Sequence, residues 1–171
     1  MSNSVGAPNN GREIERIYVF LDGEMTINAA RKDVWRHVVN YPTWQNYSTV
    51  QHLAGNPGEE GELVLLKKTE AGIELGPYYA RTIKIEPERR FTWKTFTDRE
   101  ELNGFGIVEF RLDDMKGATR FYYNTYYEIH VDRQSESKLA ELRKQYYKDF
   151  EAVLLSIFAK LKKLAEKENS L

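Results

Sequence analysis

The strand predicted over residues 78–86 carries the strongest candidate for chemistry in this sequence, the side chain of Arg81. Ile83 and Ile85 are expected to face the interior, and the two-residue period of a strand then turns Arg81 and Tyr79 inward as well. A buried arginine is costly unless an anion or another hydrogen-bond acceptor pairs with it. Arg81 is therefore expected to contact a carboxylate, enolate or carbonyl oxygen of a ligand, or else to reach a pocket mouth or pair with a core acid.

The last predicted strand, 119–131, places three hydroxyl groups on its inward face, those of Tyr123, Thr125 and Tyr127. In a cavity these groups would orient a polar atom of a ligand or donate to a developing oxyanion. The alternative is that they are ordinary core residues whose hydroxyls bond to the backbone. Arg81, Tyr123 and Tyr127 are the candidates for catalytic residues.

The residue types present give little support to metal or cofactor chemistry. The chain has no cysteine, which excludes thiol nucleophiles, iron–sulfur clusters and thiolate zinc sites. His37, His52 and His130 form no His-x-x-x-His or Glu-x-x-His pair, and the chain has neither a nucleophile elbow nor a phosphate-binding glycine loop. We therefore expect no metal site and no cofactor.

Composition indicates a soluble globular protein. The 171 residues are 41% hydrophobic and 30% charged, and the net charge of -1 argues against nucleic-acid binding, which normally requires a basic excess. No segment reaches the roughly 20 apolar residues of a membrane span, and the lack of cysteine agrees with a cytoplasmic location. Residues 1–12 are polar and are expected to form a disordered tail before a single domain over residues 13–168.

The elements that must position these side chains begin with a long strand. Residues 13–28 alternate between apolar and polar, and Gly23 falls on the apolar side, where a strand bends or leaves space for another group. Two short helices are predicted next, the first capped by Asn28 and the second carrying Trp44 and Tyr47.

Six further strands at hairpin spacing follow, separated by turn-forming residues. With the first strand they predict an antiparallel sheet of about seven strands. Trp93 and Phe110 fall on its apolar face and are expected to line the inner wall.

A continuous apolar stripe over residues 137–167 predicts one long C-terminal helix. Its apolar residues recur at spacings of three and four, and Phe150, Leu154 and Phe158 are expected to face a ligand between helix and sheet. At 1.5 Å per residue the helix would be roughly 45 Å long, which is long for this chain. A coiled-coil or other homodimer contact therefore stays open.

The order of the predicted elements and four local segments together resemble a known superfamily. The segments are the strand-to-helix entry 25–35 with its Val-Trp pair, the second helix 41–47 with its Trp, the Glu-Pro turn and basic residues in 83–91, and the last hairpin at 117–121. The resemblance is to the helix-grip fold of START lipid-transfer domains, polyketide cyclases and aromatases, and birch-pollen-allergen-like proteins, over about residues 14–166. One departure is that Ala30 stands where a Ser or Asp cap is usual, so the cap is assigned to Asn28.

The resemblance implies an α+β helix-grip fold, in which a curved antiparallel sheet wraps the terminal helix and leaves a cavity. It implies binding or carriage of a hydrophobic, lipid- or polyketide-like small molecule. One alternative is a polyketide cyclase, aromatase or dehydratase that uses Arg81 and the inward tyrosines. Another is a protein-interaction module of the chaperone-activator type, which predicts a filled core. The expected ligand-binding residues are Trp44, Tyr47, Tyr79, Arg81, Trp93, Phe110, Tyr123, Thr125, Tyr127, Phe150, Leu154 and Phe158.

Overall fold

The structure, a computed structural model, describes residues 13–45, 47–98 and 103–168, and the predicted tail at 1–12 lies outside them. In chain order the elements are β1 (Ile14–Ile27), α1 (Arg31–Val39), α2 (Tyr41–Gln45), β2 (Thr49–Ala54), β3 (Leu63–Glu70), β4 (Ile73–Glu86), β5 (Arg90–Phe96), β6 (Gly104–Asp114), β7 (Thr119–Asp132) and α3 (Glu136–Glu168). The predicted helix-grip arrangement, with two short helices after the first strand and a long terminal helix, is confirmed.

The strands form one curved antiparallel sheet in the order β1-β7-β6-β5-β4-β3-β2. Strands β2 to β7 pair in sequence, whereas β1 crosses to pair with β7 along its whole length. The described part of the chain contains no helix that is both long and apolar enough to cross a membrane.

The apolar stripe of α3 packs against the concave face of this sheet. Leu154, Ile157 and Leu161 are all buried. The ring of Phe158 lies 5.3 Å from that of Phe121 and 4.4 Å from that of Tyr123, both on β7. The sheet of the same chain therefore already covers the stripe that a coiled-coil partner would need.

The start of α1 differs from its prediction. Ala30 occupies the N-cap position and makes no side-chain capping bond. The backbone N–H of Asn28 instead donates to Glu166 Oε1 at 2.8 Å, and the Thr119 hydroxyl donates to the carbonyl oxygen of Ala29. The prediction that Asn28 caps α1 is wrong because this loop is held against the end of α3 and the start of β7.

A bulge in β4 reverses the expected direction of Arg81. Thr82 pairs with Trp93 of β5, but Lys84 pairs with the adjacent Thr92, so Ile83 is an extra residue in β4. A single extra residue exchanges the two faces of a strand. Ile85 packs against the core, but Ile83 is 42% exposed and Arg81 is exposed as well.

The prediction that Arg81 and Tyr79 point inward is therefore wrong. It assumes that both Ile83 and Ile85 face inward and continues their two-residue period across the bulge, where that period breaks. Before the bulge the buried residues of β4 are Ala80 and Thr82, and Tyr79 stacks on Phe96 with ring centroids 5.5 Å apart.

Gly23 leaves space for an aromatic ring, in line with its position on the apolar side of β1. It pairs directly with Tyr123 of β7, and a Cβ atom at Gly23 would lie 2.5 Å from the Tyr123 hydroxyl oxygen. The missing side chain therefore lets the Tyr123 ring lie across β1 while it packs on Phe158.

Replacing Gly23 with alanine is expected to destabilise the protein by about 1–3 kcal/mol, because the new methyl group overlaps a ring that cannot easily move. Urea unfolding measures this change. The penalty should largely disappear in a Tyr123→Leu background, since the three nearest atoms all belong to Tyr123. An equal penalty in both backgrounds would contradict this explanation.

Candidate functional site

A cavity of about 290 Å³ lies between the inner face of the sheet and α3. Its wall is mostly apolar and aromatic. The predicted residues that line it are Tyr47, Trp93, Phe110, Tyr127, Phe150 and Leu154. The rings of Tyr127 and Phe150 stack with centroids 4.2 Å apart, so β7 and α3 form one continuous aromatic wall.

The other inward candidates belong to the packed core. Trp44 is 1% exposed, and its indole N–H donates to the carbonyl oxygen of His37 at 2.7 Å. The Thr125 hydroxyl donates to the carbonyl oxygen of Leu21 at 3.1 Å, which is the backbone-bonded alternative for this residue. Tyr123 and Phe158 pack on each other, and neither lines the cavity.

The cavity wall also contains polar side chains, among them Glu74, Thr95, Thr97, Asn103 and Glu128. Four others form a hydrogen-bonded cluster, the polar end, most of which sequence analysis missed. This polar end consists of Gln45, Tyr47, Lys68 and Tyr78, all of which line the cavity. Gln45 ends α2, Tyr47 follows it, and Lys68 and Tyr78 point inward from the adjacent strands β3 and β4.

The polar end is held together by a chain of hydrogen bonds. The Tyr47 hydroxyl donates to Gln45 Oε1 at 2.8 Å, and Lys68 Nζ donates to the same oxygen at 3.0 Å. The hydroxyls of Tyr47 and Tyr78 are 2.9 Å apart. Because the Tyr47 proton is already directed at Gln45, the bond between the two tyrosines must be donated by Tyr78.

Two buried N–H groups at the cavity have no hydrogen-bond partner within the described part of the chain, those of Gln45 Nε2 and Trp93 Nε1. Oε1 of Gln45 accepts two bonds, so its amide nitrogen must be the atom that is left over. Leaving a buried donor unpaired costs about 1–3 kcal/mol. A ligand with acceptor oxygens could satisfy both groups.

Lys68 is the most unusual member of the polar end. It is 2% exposed, and its ammonium group lies 4.9 Å from the centre of the Tyr47 ring. Burial lowers the pKa of Lys68 to about 8, even though nearby Glu70 raises it. At neutral pH the side chain is therefore mostly charged, with a small neutral fraction that can accept a proton.

The nearest carboxylate, Glu70, is already paired with α3. Its oxygens lie 2.8 and 2.7 Å from Lys160 Nζ, and Oε1 also accepts from the Ser156 hydroxyl. Burial alone would raise the pKa of Glu70, but these hydrogen bonds lower it below its usual value, so the group is ionised. Glu70 therefore ties β3 to α3 and is not available as a general base.

Three tyrosines at the cavity, Tyr47, Tyr78 and Tyr127, are neutral at physiological pH. Burial is the main cause that raises the pKa of Tyr78 to about 12 and the pKa values of Tyr47 and Tyr127 well above their usual value. The site can thus donate hydrogen bonds and supply positive charge. Among the described residues, no group of three or more acidic or histidine side chains is arranged to hold a metal ion.

The sequence contains a pattern that predicts an inward Lys68, but the residues before it make that pattern hard to recognise. Val64 and Leu66 face the core, so a period of two turns Lys68 and Glu70 inward as well. The run Leu63–Leu66 is apolar at every position, which hides the alternation that would have identified the inner face. Gln45 had no comparable signal.

Comparison with known proteins finds similarity in structure only. No family model matches the chain, and no curated protein matches it. The di-domain aromatase/cyclase StfQ of the steffimycin biosynthetic pathway has a TM-score of 0.70 at 10% identity, with 91% of this chain and 53% of that chain covered. The Zhui aromatase/cyclase from Streptomyces sp. R1128 has a TM-score of 0.63 at 16% identity, with 88% and 94% covered.

Norcoclaurine synthase from Thalictrum flavum has a TM-score of 0.62 at 11% identity, with 89% of this chain and 97% of that chain covered. At such identities the similarity shows the fold and not the activity. The chain therefore has the helix-grip fold that these aromatase/cyclases and norcoclaurine synthase also have.

Proposed function

We propose that this protein binds or carries an apolar small molecule in the cavity, with a polar group of that molecule at the polar end. The observation that carries the proposal is a largely apolar cavity of about 290 Å³ with two unpaired buried donors, Gln45 Nε2 and Trp93 Nε1. An apolar wall with a few placed polar groups is typical of small-molecule sites. A structural neighbour, norcoclaurine synthase, was solved with dopamine and hydroxybenzaldehyde, which shows that this fold can hold aromatic ligands.

The burial of Lys68 also supports a binding role. A fall in its pKa from 10.5 to about 8 corresponds to about 3 kcal/mol of lost folding stability at neutral pH. An apolar side chain at this position would avoid that penalty. Groups that reduce stability in a pocket are frequently there for function.

The alternatives fit the structure less well. A cyclase-type mechanism based on Arg81 lacks its central residue, because Arg81 is exposed on the outer side of the β4 bulge. An interaction module with a filled core does not explain a cavity with unpaired donors.

A larger side chain in the cavity should weaken binding. Val153 lines the cavity and is 6% exposed, whereas Leu155, two residues further along α3, is 57% exposed. Val153→Phe is expected to weaken the binding of N-phenyl-1-naphthylamine, an uncharged dye that fluoresces in apolar surroundings, by at least about tenfold. Leu155→Phe, the matched control, should leave the affinity unchanged.

Circular dichroism would verify that both variants are folded. No dye binding by the unmodified protein, or equal dye affinity in all three proteins, would contradict the proposal.

Replacing Lys68 with methionine should stabilise the protein at pH 7 by up to about 3 kcal/mol, because the penalty of a buried charge is removed. The folded-state pKa of Lys68 lies below the unfolded value, so the penalty is complete below pH 8 and declines as pH rises toward 10.5. The advantage of the variant should therefore shrink by about 2 kcal/mol between pH 7 and pH 9.5. Urea unfolding at the two pH values tests this, and a pH-independent difference would contradict it.

A further inference from the structure

Around Lys68 there is one more positive than negative charge. The carboxylates that line the cavity, Glu74 and Glu128, are paired with Lys67 and with Arg16 and His130. Two lysines, Lys68 and Lys160, lie near the single carboxylate of Glu70. Both Glu70 oxygens are bonded to Lys160. Lys68 Nζ is instead 3.0 Å from the neutral Gln45 Oε1, and no carboxylate within the described ranges lies within ion-pair distance of it.

The unused hydrogen-bonding capacity of the polar end consists mainly of donors. Gln45 Oε1 already accepts from Tyr47 and Lys68, and the Tyr78 proton is directed at Tyr47. The unused donors are Gln45 Nε2, the remaining Lys68 protons and Trp93 Nε1 elsewhere in the wall, and the unused acceptor is the Tyr78 oxygen. A region rich in donors and positive in charge is complementary to an anion.

We propose that the cavity selects amphipathic monocarboxylates, whose carboxylate accepts hydrogen bonds from Lys68 Nζ and Gln45 Nε2. The apolar body of such a ligand would lie against the aromatic wall formed by Tyr127 and Phe150. This inference rests on the proposed binding function and specifies the charge of the ligand's polar group.

A single negative charge fits the site better than the alternatives. A neutral ligand would leave the buried charge of Lys68 uncompensated, which is costly at 2% exposure. A doubly charged group such as a phosphate monoester would bring an excess negative charge into a mostly apolar cavity. One carboxylate has two acceptor oxygens and balances the one excess cation.

The ionisation states of the surrounding groups agree with one excess positive charge at the site. The titratable groups that face Lys68 are Glu70 on its own strand, Lys160 on α3, Tyr47 after α2 and Tyr78 on β4. Burial lowers the pKa of Lys68 only to about 8, so it is charged at pH 6.5. The two tyrosines are neutral there, because burial raises the pKa of each.

The test compares carboxylates with their uncharged amides at pH 6.5. Each ligand is titrated in competition with N-phenyl-1-naphthylamine. The two pairs of acid and amide are decanoate with decanamide, and 2-naphthylacetate with 2-naphthylacetamide. At least one carboxylate is expected to bind about tenfold or more tightly than its amide. The ratio should fall to about one in Lys68→Met, which removes the charge but keeps a side chain of similar length.

Lys84→Met is the matched control, since it removes the same charge from an exposed side chain paired with Glu60. It should keep the full preference for the carboxylate. Dye binding by Lys68→Met shows that its cavity is intact.

Equal affinity for acid and amide in the unmodified protein would overturn the inference, as would a preference that survives in Lys68→Met. Failure of both carboxylates to displace bound dye would overturn it as well. In each of these cases the dye still binds, so the proposed function would stand. If the dye itself does not bind, the proposed function fails and this inference fails with it.

Discussion

The long helix α3 packs against the concave face of a seven-stranded sheet, beside the rings of Tyr41 and Trp44 from α2. The other features of the molecule depend on how completely α3 covers that face. Around Phe158 the helix packs closely on the sheet, because the Phe158 ring lies 5.7 Å from that of Phe110 and 5.3 Å from that of Phe121. Further toward its N-terminus, Phe150 and Leu154 line an open space. A curved sheet is wider than one helix, so the part of its apolar face that α3 does not fill becomes the cavity.

The same helix determines the charge of the cavity. Ser156 and Lys160 of α3 bind Glu70 of β3, which attaches the helix to the sheet near the polar end. Glu70 is thereby occupied, and Lys68, two residues earlier on the same inward face, has a neutral amide as its hydrogen-bond partner. An ion pair that fixes helix to sheet thus leaves an unbalanced cation at the cavity wall.

The structural neighbours show why the site has to carry the functional argument. Proteins of this fold at 10–16% identity include aromatase/cyclases and norcoclaurine synthase, and a shared fold does not transfer their reactions. The polar end of this cavity combines a buried lysine, a glutamine amide with an unpaired N–H and two neutral tyrosines. Such groups favour recognition of an acceptor-rich ligand over proton abstraction by a carboxylate.

Local periodicity, read from the sequence alone, determined the antiparallel strands, the long terminal helix, the space at Gly23 and several aromatic wall residues, because these follow from which residues alternate or recur. The helix-grip arrangement of these elements followed from the resemblance of their order and local segments to a known superfamily. Only the tertiary structure decided the direction of Arg81 and the importance of Lys68 and Gln45. The bulge at Ile83 is set by pairing with β5, and one extra residue exchanges the faces of a strand. Gln45 and Lys68 meet only because α2 and β3 pack together, and such contacts between distant segments leave no periodic trace in a single sequence.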